Sequence, residues 1–285
     1  MNIGIVGNGY VGQATKMLGC RDDYSDLEDN AMLIYDIDKD KCLPSDITFK
    51  DLSLCDVVFV CVPTPANADG TCSTLAVESV VHDLKEIGGS DIIVRSTVPV
   101  GTCRKLEVNF MPEFLTERQW EKDVKNTQEW IVGLWNAEDK YLKKILRKIF
   151  ITAKRNGRIK SANFIWASTE EAELAKLVRN AFLATKVSFF NEIHSFCEAV
   201  EIPYERVVNL VRLDPRIGES HMQVPGPDGK KGYGGTCLPK DINSLYHQIF
   251  DQGIDPSIID AVMLRNQKID RPEEDWKDDK GRAVV

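Results

Sequence analysis

Short runs of apolar residues punctuate the first half of the chain at intervals that leave room for helices or loops between them: NIGIV from Asn2, AMLIY from Ala31, VVFVCV from Val57, DIIVRS from Asp91 and EWIVGL from Glu129. Continuous β-rich runs, rather than strictly alternating ones, are the mark of strands covered on both faces, and spacing by helix-length segments makes their sheet parallel. The pattern predicts a doubly wound, Rossmann-like α/β domain over residues 1–166. From Ser168 the period changes. Ser168 and Glu171 are spaced as a capping box, and the apolar positions then recur at helical intervals until Pro203 ends them. A helix of about 30 residues, about 45 Å at 1.5 Å per residue, is expected there. It opens a small all-α domain over 167–268, with a further helix to Val211, a Gly/Pro-rich loop from Asp214 to Gly235, and helix again from about Asp241. Residues 269–285 are crowded with charges and read as a fraying tail.

Composition narrows the functional classes. With 28% charged and 43% hydrophobic residues the chain is that of a globular protein, and its formal net charge of −8 argues against a general nucleic-acid binder. The longest apolar run, Val57–Val62, is too short to span a bilayer and the first residues read as a strand rather than a signal, so a cytoplasmic location is expected, with no membrane partner. Eight cysteines show no CxxC pair, so reduced thiols are expected, and no metal site.

Two segments carry chemistry. In NIGIVGNGYVG the glycines Gly7, Gly9 and Gly12 have GxGxxG spacing directly after a strand: one for the tight turn, one for approach to a pyrophosphate, one for close helix packing. The helix that follows would turn its amino end to the phosphates. Asp36 ends the second strand about two dozen residues later, where a carboxylate can bond ribose hydroxyls and repel a 2′-phosphate, so NAD is the expected cofactor, with Lys39 nearby tempering that preference. Asp38 reads as a solvated helix-start residue. The second segment is GYGGTCLPKD, residues 232–241. Gly232, Gly234 and Gly235 would let backbone approach a ligand, Lys240 would favour the thiolate of Cys237, and Asp241 would move a proton or position water. A thiolate here could attack an aldehyde and, after loss of a second hydride, leave a thioester for water to cleave. In AELAKLVRNAFLATK, Lys176 and Asn180 lie four apart and share a helix face, where they could hold a reacting oxygen.

These motifs, with VPTP at 62–65, STVPVG at 96–101, MPEFLTE at 111–117 and RIG at 216–218, occur in the order found in the UDP-glucose/GDP-mannose dehydrogenases, and the chain resembles that family from residue 1 to about 266. The resemblance implies two successive NAD-dependent oxidations of a nucleotide sugar, UDP-glucose being preferred for the PGPDGKKGYGG loop. It implies that Cys237 is the nucleophile, that Lys176 and Asn180 hold the reacting oxygen or its water, that Thr97 and Asp241 manage the water, and that Glu117 acts as acid, base or water-orienting group. It places Tyr10, Val11, Val62, Thr64 and Thr97 with the glycines and Asp36 around the cofactor, and Glu113, Phe114, Leu115, Tyr233 and Gly234 around the substrate. Arg216 would reach the substrate of a neighbouring subunit in a homodimer built on the central helix. Lys230 and Lys231 read as a solvated pair.

Family members carry a second nucleotide-binding domain after the helical region, and only residues 242–285 follow Asp241. A site completed by an oligomeric partner or by a separate domain is expected. Two other readings stand beside this one: a β-hydroxyacid dehydrogenase of the 6-phosphogluconate type, which removes one hydride and needs no cysteine, and an NAD-binding module without turnover.

Overall fold

The computed structural model describes residues 1–19 and 31–285; Cys20, one of the eight thiols, lies outside the described residues. The chain divides into two compact units, the first made of Met1–Thr64 and Thr74–Lys176, the second of Pro65–Ser73 and Leu177–Val285.

In the first unit seven strands among the described residues form one sheet: β1 (Asn2–Val6), β2 (Ala31–Tyr35), β3 (Val57–Val60), β4 (Asp91–Val94), β5 (Asn109–Phe110), β6 (Glu129–Leu134) and β7 (Asn163–Ser168). They lie in the order β2-β1-β3-β4-β5-β6-β7, with every neighbouring pair parallel except β5 and β6. β1 and β3 read as unbroken apolar runs because both faces are covered: Ile3, Ile5, Val57 and Phe59 enter one core cluster, Val6, Val58 and Val60 another. Among the described residues the α-helices of this unit are α1 (Tyr10–Lys16), α2 (Leu75–Ile87), α3 (Thr102–Lys105), α4 (Trp120–Asn126) and α5 (Lys140–Arg155). The strong apolar stripe of α5, Leu142, Ile145, Leu146, Ile149 and Phe150, packs into the first cluster. β5 and β7 are strands the hydrophobic pattern does not announce, one because it is two residues long, the other because its residues are partly exposed along most of its length.

The long helix α6 runs Thr169–Ala199, 31 residues. Its start is the expected capping box: Glu171 Oε2 accepts from Ser168 N at 2.7 Å, and Glu171 N donates to Ser168 Oγ at 3.2 Å. Its first two turns belong to the first unit and the rest to the second. The second unit adds α7 (Tyr204–Val211), α8 (Leu238–Asp251) and α9 (Ser257–Arg265), around two clusters led by Leu177, Tyr233 and Ile242 and by Phe190, Tyr204 and Met222. α8 starts three residues before its expected position, with Pro239 in its first turn where a missing N–H costs no helix bond.

The charged tail does not fray. Arg271, 4% exposed, donates to Asp275 Oδ1 and to Asp228 Oδ2, both at 2.6 Å, Trp276 is buried, and Val285 N donates to Ala66 O at 2.9 Å. Arg271 and Asp275 are partnered across turns rather than given to water, a distinction that composition does not carry. Among the described residues no helix is long and apolar enough to cross a membrane.

Candidate active site

The turn between β1 and α1 is shaped by steric necessity. Gly7 has φ +93°, and a Cβ there would meet Cys61 O at 2.7 Å; one on Gly12 would meet Gly7 O at 2.0 Å. A Cβ on Gly9 would meet nothing within 4 Å, so the middle glycine borders open space, where a pyrophosphate fits against the amino end of α1. Tyr10 and Val11 form the first turn of that helix. Asp36 directly follows β2, and its Oδ2 accepts from Asn8 N at 2.6 Å, fixing the carboxylate beside the glycine turn. Asp38 caps the short 3-10 helix Lys39–Lys41 by accepting from Asp40 N, and Lys39 lies over the Tyr35 ring. The segments after β3 and β4 are tied together by Ser96 Oγ, which donates to Val62 O at 2.6 Å; Thr64 and Thr97 there are both buried. The cradle therefore fits a dinucleotide.

Lys176, 3% exposed, is the centre of a second arrangement in the same unit. Its Nζ donates to Glu113 Oε1 at 2.8 Å and to Glu113 O at 2.7 Å, and it lies over the Phe114 ring at 5.7 Å. Glu113 Oε2 also accepts from Leu115 N at 3.0 Å. Lys176, Glu113, Phe114 and Leu115 are thus brought together; Glu113 is buried, whereas Glu117 is exposed in the turn before α4. Glu173, absent from the sequence expectations, is fully buried and accepts from Gly101 N at 2.6 Å and Cys103 N at 2.8 Å, which anchors STVPVG to α6.

In the second unit Cys237 is the N-cap residue of α8, and Thr236 Oγ1 lies 3.7 Å from its sulfur. One turn on, buried Asp241 accepts from Asn180 Nδ2 at 2.6 Å and pairs with Lys240 Nζ at 2.6 Å. Burial by itself would push the Lys240 ammonium down; the negative charges of Asp241, Cys72 and Cys237 outweigh it and hold the group well above the ordinary lysine range. None of the seven described cysteines is in a disulfide.

The glycines of the loop divide differently from expectation. A Cβ on Gly232 would strike Asn266 Oδ1 at 2.4 Å and one on Gly234 would strike the Arg271 guanidinium at 2.4 Å, so both exist for internal packing; only Gly235 borders open space. Tyr233 is buried beside them, and its N donates to Asn266 Oδ1 at 2.8 Å. Arg271 had no signal in the sequence, because it comes from the segment whose charge suggests a solvated tail, and Asn266 stands just before that segment in the helical region. Arg216 is exposed and clamped by Asp214 Oδ1 at 2.9 Å, while Lys230 pairs with Asp275 and Lys231 with Glu198. Among the described residues one His/Asp/Glu group has ligand-like spacing, His82, Asp83 and Glu86, and all three are exposed on α2.

A dinucleotide cradle on a doubly wound sheet, continued in sequence by a helical unit bearing a thiol, an amide and a carboxylate, defines the pyridine-nucleotide dehydrogenase class. The UDP-glucose/GDP-mannose dehydrogenase family matches the chain twice, through its NAD binding domain over residues 37–154 and its central domain over residues 170–268, together well over half of its length. The chain belongs to that family, and NAD is its cofactor. It is 29% identical over 304 residues to UDP-glucose 6-dehydrogenase of Rickettsia bellii, covering 94% of this chain and 67% of that protein. It is 30% identical over 309 residues to UDP-glucose 6-dehydrogenase of Pseudomonas aeruginosa, covering 94% and 66%. Among solved structures it shares the fold of a UDP-glucose dehydrogenase from Pyrobaculum islandicum, at a TM-score of 0.77 and 23% identity over 93% of this chain and 68% of the other. A GDP-mannose dehydrogenase from Pseudomonas aeruginosa aligns at 0.63 and 25% identity, over 94% and 68%. The chain thus spans about two thirds of the length of these relatives.

Proposed function

We propose that the chain oxidises the primary alcohol of a nucleotide sugar to a carboxylate in two NAD-dependent steps, with Cys237 as covalent nucleophile and UDP-glucose as the preferred substrate. The observation that carries this reading is the assembly of Asn180, Asp241 and Lys240 one turn from Cys237, a mutually hydrogen-bonded set of polar groups held largely out of water beside the thiol. The relatives named UDP-glucose 6-dehydrogenase support the choice of sugar.

Bound NAD supplies the hydride acceptor for each oxidation. Gly7, Gly9, Tyr10, Val11 and Gly12 would hold its pyrophosphate and Asp36 its ribose hydroxyls, with Val62, Thr64 and Thr97 beside it. The alcohol first loses its hydroxyl proton and a hydride to become an aldehyde. The Cys237 thiolate attacks the carbonyl carbon, giving a thiohemiacetal; loss of a second hydride leaves a thioester; water cleaves it, returning the thiol and releasing the acid. Lys176, oriented by Glu113, stabilises the oxyanion together with Asn180. Asp241, Thr97 and Glu117 take and place the protons of the attacking water. Glu113, Phe114 and Leu115 shape the substrate pocket.

The working form is a homodimer. Val178, Phe182, Phe189 and Phe196 on α6 are each 47–62% exposed and spaced by helical repeats, a stripe suited to a second copy. Arg216, exposed on its loop, serves the partner's substrate. A second reading, a β-hydroxyacid dehydrogenase, draws on the fold of Mycobacterium tuberculosis 3-hydroxyisobutyrate dehydrogenase, which the chain covers to 91% at 14% identity and a TM-score of 0.68. An NAD-binding module without turnover is the third.

Incubation with UDP- and GDP-sugars, following NADH absorbance, separates them. Two NADH per sugar, abolished in Cys237→Ser, is expected. One NADH per substrate, indifferent to Cys237→Ser, selects the second reading, and NAD binding with no turnover on any sugar selects the third.

A further inference from the structure

Arg95, the residue after β4, is 2% exposed and carries a charge that its surroundings do not answer. Among the described residues its guanidinium makes one side-chain hydrogen bond, from Nη1 to Thr15 Oγ1 at 3.1 Å, and its Nε is buried with no partner. The acceptor is a neutral hydroxyl. Cys61 Sγ, 3.7 Å from that hydroxyl, adds no negative charge, because burial pushes its thiol up to about 11. Glu113 acts on Arg95 from farther off but is already bonded to Lys176, so two cations share one carboxylate. A guanidinium stays charged throughout the accessible pH range, and a buried charge without a partner is costly.

The place of Arg95 says which anion relieves it. Arg95 N donates to Val60 O and Cys61 N to Val6 O, both at 2.8 Å, which sets the residue at the carboxyl ends of β3 and β1. There it adjoins the glycine turn: Cys61 O is the atom that a Cβ on Gly7 would strike, and Thr15 Oγ1 donates onward to Val11 O at 2.7 Å. Two hydrogen bonds in series thus lead from the guanidinium to the first turn of α1. From Thr15 back to Tyr10 is about 7.5 Å of helix, so a pyrophosphate over Gly9 lies on the order of 10 Å away, with protein rather than water between. At an effective dielectric constant of about 20, unit charges that far apart shift an equilibrium more than tenfold.

We propose that Arg95 is the buried counter-charge of the dinucleotide: it touches neither phosphate nor base, and strengthens NAD binding through its field beneath the glycine turn. The inference rests on NAD occupying the glycine cradle and is independent of whether any sugar is oxidised.

The test titrates the full chain calorimetrically with NAD, NADH and ADP-ribose, which share the pyrophosphate, and melts each variant without ligand. Arg95→Met should bind all three at least roughly tenfold more weakly, at high salt as at low, because a buried charge is little screened. It should melt no lower than the parent chain, since the lost charge had no partner to lose. Arg95→Lys, which keeps the charge, should recover most of the affinity. Parent-like affinity in Arg95→Met overturns the proposal, as does a loss confined to NAD and NADH, which would set the charge against the nicotinamide. An Arg95→Lys chain as weak as Arg95→Met overturns it too. Should Arg95→Met fail to fold, Arg95→Gln keeps a donor for Thr15 and removes only the charge; parent-like binding there is equally fatal. A parent chain that binds none of the three ligands refutes the cradle itself, a result distinct from equal binding by parent and variant.

Discussion

Lys176 Nζ lies 2.8 Å from Glu113 Oε1, with each side chain 4% exposed and the two residues 63 positions apart in the chain. A buried pair of this kind contributes little relative to apolar residues of the same shape, but breaking it strands a charge. Glu113→Gln should cost about 3–5 kcal/mol, read as a lower urea midpoint by tryptophan fluorescence. Lys176→Met in the same chain should recover most of the loss, because both charges are then gone. A single-variant loss under about 1 kcal/mol would show the ammonium to be solvated.

Asn180 and Asp241 give a prediction of another kind. Asn180→Ala removes one of the donors of a carboxylate that has almost no access to water, and should destabilise the chain by about 1–3 kcal/mol. Asn180→Asp places a second carboxylate at the position of a 2.6 Å contact and should be worse at neutral pH, improving as acid protonates the pair. Melting temperatures across pH for the two variants check this; parallel curves would mean that no repulsion was introduced.

The glycine turn separates folding from cofactor binding. Gly12→Ala forces a methyl against Gly7 O and should lower the melting temperature as well as NAD affinity. Gly9→Ala meets no protein atom, so it should melt like the parent chain yet bind NAD at least roughly tenfold more weakly, its methyl occupying the approach to the pyrophosphate. Calorimetric titration with NAD beside thermal melts decides; unchanged affinity in Gly9→Ala would move the cofactor elsewhere.

Asp91 predicts a pH dependence. Burial, with a smaller contribution from the charge of Asp139, pushes its carboxyl up to about 6. Its unfolded value is about 3.9, so the folded chain holds this proton more tightly than the unfolded one. Ionisation of Asp91 therefore lowers stability, an effect absent well below pH 4, growing between about 4 and 6, and constant above. Asp91→Asn should gain on the parent chain across that window in thermal melts. A gap that does not change from pH 4 to 8 would remove the assignment.

Much of the sheet was legible because its strands are buried on both faces and so lack polar interruptions; β7, exposed along part of its length, escaped for the opposite reason. The glycine turn was legible because its constraints are local: Gly7 and Gly12 act on atoms within a few residues or on the adjoining strand end. The partnership of Lys176 with Glu113 was not, since its members come from different elements and neither residue type announces burial. The same limit misassigned Gly232 and Gly234. Their missing side chains make room for Asn266 and Arg271, and a glycine bared for a ligand looks no different in sequence from one bared for a neighbour.

The first turns of α6 are pinned three times within nine residues, by the Ser168–Glu171 box, by Glu173 on the amides of Gly101 and Cys103, and by Lys176 on Glu113. At 3.6 residues per turn, each position is rotated by about 100° from the last. The three contacts thus share one angular phase along the first turns of the helix. One residue inserted after Glu173 would leave composition, length and helicity almost untouched, yet swing Lys176 off Glu113 by a quarter-turn and more.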